Sequence, residues 1–116
     1  MQKRKKLIQD KKYAEAEKLI KDRLSQKPDA KEACNLLYHL GETQASLGKS
    51  ADAAKSYSDL ADKYPACEYS PEALFKSGEL YEKMGDKDKA QKLYHYLISL
   101  YPFSKYATLA EDKLKK

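Results

Sequence analysis

The residues able to do covalent or metal chemistry are few: two histidines, His39 and His95, and two cysteines, Cys34 and Cys67. A thiol nucleophile needs its base within hydrogen-bond reach. His39 follows Cys34 by five positions on one predicted helix, which turns the two side chains about 140° apart at about 100° per residue. His95 stands between Tyr94 and Tyr96 and reads as a partly exposed packing residue. No Cys-x-x-Cys pair, His-Glu-x-x-His pair or glycine-rich phosphate loop occurs. Asp86-Lys87-Asp88 begins like a calcium loop, but its ligands stop after two, inside a tight turn between helices. The expectation is therefore a chain with no catalytic residue, no metal site and no cofactor: not an enzyme, and without a small-molecule substrate. Two cysteines are too few for a disulfide scaffold. Cys34 and Cys67 could approach in an oxidising compartment, but nothing in their spacing fixes a geometry, so independent thiols are expected.

What positions these residues is a repeat. Met84–Pro102 (MGDKDKAQKLYHYLISLYP) aligns without gaps with Leu47–Pro65 (LGKSADAAKSYSDLADKYP) and with Asp10–Pro28 (DKKYAEAEKLIKDRLSQKP), each copy 37 residues from the next. Ala16, Ala53 and Ala90 share one column and Pro28, Pro65 and Pro102 another. A fixed period of this length marks stacked supersecondary units. Within each copy the apolar residues recur at helical spacing, as in Ala16, Leu19, Ile20 and Leu24, and again in Ala90, Leu93, Tyr94, Leu97, Ile98 and Tyr101. The helix before the second copy carries its own stripe, Ala33, Leu36, Leu37, Leu40, Gly41, Gln44 and Leu47. Gly48 and Gly85 suit left-handed helix ends. Gly41 and Gly78, one period apart, mark a close approach of two helices. Ser50, Ser70-Pro71 and Ser104 read as helix starts. Residues 1–10 read as the end of a helix anchored by Leu7 and Ile8, followed by a separate helix over 13–26. The expected fold is all-α, with about seven antiparallel helices in one domain: residues 10–28 as the second half of an incomplete first repeat, 30–65 and 67–102 as full repeats, and 103–116 as a capping helix.

Composition agrees. Charged residues make up 35% and hydrophobic ones 41%, glycine and proline are scarce, and the net charge is +5. Most lysines alternate with acids along the predicted helices, so they read as a solvated surface. Only Lys3–Lys6 and Lys113–Lys116 form dense basic runs, at opposite ends. A module docking on nucleic acid or an anionic membrane through those ends is the alternative reading, and nucleic acid is not the expected partner. No run of about 18 apolar residues exists, so no membrane span is expected. Leu7-Ile8 is followed by polar residues, so no signal peptide is read; the chain is cytoplasmic, or a mature or excised piece of a longer one.

The columns Leu37, Leu40-Gly41, Gly48, Ala53, Tyr57, Leu60 and Pro65, repeated as Leu74, Gly78, Tyr81, Gly85, Ala90, Tyr94, Leu97 and Pro102, resemble the tetratricopeptide repeat family. The family's usual period is about 34 residues. Here three more residues follow the proline, in Tyr101-Pro102-Phe103-Ser104-Lys105-Tyr106-Ala107 and its counterpart starting at Tyr64. That Tyr-Pro-x-Ser-x-Tyr-Ala junction resembles the subclass in bacterial envelope proteins of the Tol-Pal and outer-membrane barrel-assembly type. Gln44 departs from the aromatic that Tyr81 supplies, and Cys67 from the serine that Ser104 supplies. The resemblance implies a right-handed α-α superhelix of roughly two and a half repeats, a periplasmic or envelope location, and a protein–protein interaction scaffold.

In such a solenoid the first helix of each pair lines a concave face. The residues off the packing stripe are Asn35, Tyr38, His39, Glu42, Ala45 and Ser46 on one helix, and Glu72, Phe75, Lys76, Glu79, Glu82 and Lys83 on the next. Tyr38 and Phe75, one period apart, are expected either to stand exposed in register or to pack on the neighbouring helix. If exposed and rimmed by Glu42, Glu79 and Glu82, they suit a peptide or helix with apolar anchors and basic flanks. Tyr38 and Glu42 stand where one subgroup of the family holds chaperone carboxylates with Lys and Asn, so a carboxylate-terminal ligand is excluded. Self-association is a further option, since an incomplete first repeat leaves an apolar edge that a second copy could cover.

Overall fold

The computed structural model describes the backbone of residues 2–115 and the side chains of residues 12–115. Six helices run in order: α1 (Gln2–Ser25), α2 (Ala30–Ser46), α3 (Ser50–Lys63), α4 (Ser70–Lys83), α5 (Lys87–Leu100) and α6 (Lys105–Leu114). The seven-helix expectation is corrected to six among the described residues. Residues 2–10 do not form a separate element; Gln9-Asp10-Lys11-Lys12 contains no glycine or proline, and one helix runs through it. The side chains of Leu7 and Ile8, and those of Lys3–Lys6, lie outside the described residues.

Helix ends follow local chemistry. Asp29 caps α2 by accepting from Glu32 N at 2.8 Å, and Asp86 caps α5 by accepting from Lys89 N at 3.1 Å. Asp86 is thus a cap within the turn that superficially resembles a calcium loop. Ser104 caps α6 as expected, accepting from Tyr106 N at 3.1 Å. Ser50 and Ser70 do not cap; each is the first residue of its helix, and Ser70 Oγ donates instead to Tyr64 O at 2.6 Å. Gly48 and Gly85 end α2 and α4 at φ +79° and +87°, where a Cβ is disfavoured.

Antiparallel hairpins α2–α3 and α4–α5 stack, α1 covers α2, and α6 packs on α5 and α4. The molecule measures 41 × 36 × 20 Å, and the short axis is about two helix diameters. The two layers are α1, α3, α5 on one side and α2, α4, α6 on the other. Each hairpin closes on one contact. The Tyr57 ring lies against Gly41, and the Tyr94 ring against Gly78. Around these rings, Leu37, Leu40, Ala53 and Leu60 form one core, and Leu74, Phe75, Ala90 and Leu97 the next. Ala73 of α4 belongs to the first core and Ala110 of α6 to the second, so each core continues into the following hairpin or helix.

The departure at Gln44 has a structural cause. Glu17 of α1 is only 6% exposed and accepts from Gln44 Nε2 at 3.0 Å and from Lys49 Nζ at 2.7 Å. Gln44 Oε1 in turn accepts from Ser56 Oγ at 2.5 Å. One period on, the columns of Glu17, Gln44 and Ser56 hold Ala54, Tyr81 and Leu93. A polar set and an apolar set exchange together. Among the described residues no buried side-chain polar atom is left without a partner.

Two outcomes follow. A Cβ on Gly41 would lie 2.6 Å from the Tyr57 ring, so Gly41→Ala is expected to destabilise by about 1–3 kcal/mol in urea unfolding. Hydrogen bonds from Lys49 and Gln44 hold the Glu17 carboxyl below its ordinary 4.5, outweighing burial, which pushes it up. A lowered folded-state value stabilises above the unfolded one. The stability advantage of the wild type over Glu17→Gln, read by urea unfolding across pH, should therefore be full above the ordinary value of 4.5 and shrink as pH falls through the folded-state value.

Candidate functional site

The layer of α2, α4 and α6, the inner layer, carries a groove of about 470 Å³ between α2 and α4. Glu42, Ala45 and Ser46 line it from α2, Lys76, Glu79, Leu80 and Lys83 from α4, and Tyr57 from α3. Tyr57 reaches it because Gly41 has no side chain to stand in the way. Burial pushes the Tyr57 hydroxyl up to about 12, so it stays protonated and can donate. Spacing assigns Tyr57 to the core, where its ring is 2% exposed, and leaves Leu80 out; the space that Gly41 leaves is the signal that the ring edge reaches the groove.

The sequence-derived residues divide. Glu42, Lys76 and Glu79 line the groove, with Ala45, Ser46 and Lys83. His39 is exposed at its edge, with Nδ1 3.1 Å from Glu42 Oε1. Asn35 belongs to a separate depression of about 640 Å³ at the end of the hairpin, lined also by Lys31, Cys34, Lys63, Tyr64 and Cys67. That depression is larger, but a turn supplies much of its wall, whereas two helices frame the groove, along residues 42–46 of α2 and 76–83 of α4. Glu82 lies at neither place: it accepts from Tyr94 OH and lines a third depression with Lys87 and Gln91.

The two aromatics do not stand exposed in register. Phe75 is 8% exposed, and its ring packs 5.8 Å from Tyr94 and 5.9 Å from Tyr106. Tyr38 is half-buried and stacks on Tyr69, with centroids 4.4 Å apart and planes 13° apart. Tyr69 and Tyr106 are the second tyrosines of the two Tyr-Pro junctions. Each junction tyrosine therefore meets the aromatic of the preceding inner helix, and the pair is a seam between repeats. The physical reason is stacking: the shoulder of α4 that holds Phe75 faces α6 rather than water.

The seams differ in polarity. At the first, Tyr38 OH donates to Glu72 Oε2 at 2.6 Å, Lys76 Nζ donates to Tyr38 OH at 2.9 Å, and Lys76 pairs with Glu72 at 3.1 Å. Burial opposes the charge on Glu72 and on Lys76, but these bonds outweigh it: the carboxyl is held below its usual range and the ammonium above its own. At the second seam Phe75 has no hydroxyl and Leu109 replaces Glu72. Lys113, the counterpart of Lys76, turns instead to Glu79 at 3.6 Å. The groove rim is consequently of mixed charge, not acidic: Glu42 and Glu79 share it with Lys76 and Lys83, and Lys113 reaches Glu79 from α6.

The first seam is also covalent. Cys34 and Cys67 form a disulfide, with Cα atoms 6.5 Å apart, which corrects the expectation of independent thiols. Stacking places the N-terminal end of α2 beside the turn preceding α4, a proximity that no local spacing encodes. Cys67 Sγ also accepts from Tyr69 N at 3.5 Å, close to the role Ser104 plays at the next turn. Among the described residues, no group of three His, Cys, Asp or Glu side chains could hold a metal ion, and no helix is long and apolar enough to cross a membrane.

A family model described as tetratricopeptide repeat matches residues 35–66 and 72–104, the stretches that hold α3 and α5 with most of α2 and α4. The chain is a tetratricopeptide repeat protein. Its hairpins are the repeats, α2 and α4 their first helices. Repeats of this family generally mediate protein–protein contacts and typically act as non-enzymatic scaffolds. No curated protein matches the sequence.

Closing a loop with a sequence separation of 33 residues removes denatured-state entropy equivalent to about 3–4 kcal/mol. Reductant should lower the urea-unfolding free energy of the tetratricopeptide domain by about that much. Cys34→Ser/Cys67→Ser should match the reduced protein and ignore reductant.

Proposed function

We propose that this protein is an interaction scaffold that receives a peptide or helix of a partner protein along the groove between α2 and α4, within a bacterial envelope complex. One observation carries the groove assignment: the half-buried Leu80, with the edge of the otherwise buried Tyr57 ring (2% exposed) beneath it, gives the groove an apolar floor ringed by Glu42, Lys76, Glu79 and Lys83. A floor of this kind takes the apolar anchor of an extended or helical segment, and a rim of both signs takes flanking charges of both signs. Asn35, Tyr38, Glu72, Phe75 and Glu82 then act from outside the groove, with Tyr38, Glu72 and Phe75 setting the spacing of the inner helices. Right-handed superhelical winding of the repeats would make the inner layer concave, and α6 would close the stack.

The envelope assignment rests on the Tyr-Pro-x-Ser-x-Tyr-Ala junction over Tyr101–Ala107 and on the Cys34–Cys67 disulfide, since disulfides persist in oxidising compartments. Fractionation of the tagged protein in its host reads this directly: recovery with the periplasm or outer membrane supports it, and recovery with cytosol overturns it.

For the groove, a photo-crosslinking amino acid is placed at Ala45, and in a second protein at Lys55 on the outer layer. The protein labelled at Ala45 should trap one partner that the protein labelled at Lys55 does not. Combining the first with Glu42→Lys/Glu79→Lys should abolish the product while circular dichroism stays unchanged. Equal trapping from both positions, or trapping indifferent to the groove charges, overturns the assignment.

A further inference from the structure

The two Tyr-Pro turns have the same backbone and different surfaces. Cys67 N donates to Tyr64 O at 3.0 Å in one, and Ser104 N to Tyr101 O at 3.0 Å in the other. Tyr101 OH donates to Pro65 O at 2.5 Å and ties the turns side by side. Yet Asp59, Asp62, Lys63, Ala66 and Glu68 around the first turn become Tyr96, Ser99, Leu100, Phe103 and Lys105 around the second. Three carboxylates leave, three large apolar groups arrive, and Glu68 is exchanged for a lysine. Because the first turn holds the same fold without them, the new residues are not there for the fold.

They are exposed. Phe103 is 100% exposed at the tip of the turn, Leu100 43% and Tyr96 42%. Lys105 stands two residues from Phe103, and Lys92 shares the α5 face of Tyr96 and Leu100, about two turns up the helix from Leu100. The tip protrudes, and the three depressions described above are lined by other residues. An exposed apolar tip with Lys105 beside it and Lys92 farther up the same helix face has nothing to enclose a ligand; its complement is a broad, anionic surface that an aromatic ring can enter.

We propose that the α5–α6 turn is a docking tip for an anionic lipid surface, with Phe103 and Leu100 entering the headgroup boundary, Tyr96 at its edge, and Lys92 and Lys105 facing lipid phosphates. Aromatic rings favour this boundary, and lysine attraction there falls with salt. The tip is separate from the groove between α2 and α4, so both sites can be occupied at once.

The chain has no tryptophan, so Phe103→Trp gives a single reporter. With vesicles of phosphatidylglycerol and phosphatidylcholine in equal parts, its emission should shift to the blue and be quenched by brominated lipid. Phosphatidylcholine alone should give neither effect, and added salt should reverse both. In co-sedimentation with the same vesicles, Leu100→Ala/Phe103→Ala should bind about tenfold more weakly than wild type, and Lys92→Gln/Lys105→Gln should lose most of the salt dependence. Thermal unfolding should be unchanged in both variants. Three results overturn the proposal. The first is no sedimentation with anionic vesicles at low salt. The second is a bound Phe103→Trp protein whose emission does not shift, which assigns binding to the lysine-rich chain ends. The third is stronger binding to duplex DNA that survives Leu100→Ala/Phe103→Ala.

Discussion

Everything in this molecule depends on how closely two helices of a hairpin can approach. Gly41 and Gly78 let the rings of Tyr57 and Tyr94 lie against helix backbone, and that contact sets the separation of α2 from α3 and of α4 from α5. Once two hairpins share this geometry, they stack, and the flanking side chains are either sealed between repeats or left facing the groove. The tyrosine that closes the first hairpin also borders the groove with the small part of its ring left uncovered. In the proposed scaffold, a change made to the hairpin contact would therefore be felt at the groove.

The seams between repeats are a second level of organisation. Each consists of a few columns that change as a set: Glu17, Gln44 and Ser56 on one side become Ala54, Tyr81 and Leu93 beyond. Likewise Tyr38 with Glu72 becomes Phe75 with Leu109. An isolated exchange would leave a hydroxyl or amide buried without a partner, at a cost of about 1–3 kcal/mol. Exchanging the set keeps the described buried groups satisfied. The disulfide reinforces only the first seam, whose aromatic pair carries the half-buried ion pair of Glu72 and Lys76. The second relies on apolar contact and on Lys113 reaching across to Glu79.

Much of the fold is legible in the residues themselves. The 37-residue period, the stripes of α2 to α5, the close approach at Gly41 and Gly78 and the left-handed ends at Gly48 and Gly85 each follow from a local rule about backbone or helix face. The site is only half legible. Helical spacing says which residues lie off the packing stripe, but not whether that shoulder meets water or the next repeat. Phe75 and Glu42 look alike by that criterion, and stacking buries one and leaves the other in the groove. The Cys34–Cys67 bond and the burial of Glu17 are hidden for the same reason, since both arise between units far apart in the chain. The unbroken α1 is easily divided in two on paper because a polar stretch such as Gln9–Lys12 is as compatible with helix as with a boundary.

The paired exchanges at the seams have a consequence for how such a chain can evolve or be rebuilt. If every repeat presented the same interface, copies could be duplicated, deleted or shuffled freely. Here the Tyr38 shoulder is matched to Tyr69, Glu72 and Lys76 of the hairpin that follows it. One period earlier, those three columns hold Glu32, Asn35 and His39. Joining a second copy of residues 30–66 directly behind the first would therefore offer Tyr38 no ring to stack on and no lysine to bind its hydroxyl. The loss would appear at the join rather than within either copy. The order of the hairpins is written into their seams, and the array resembles a short sentence whose words fit in one sequence more than a string of identical beads.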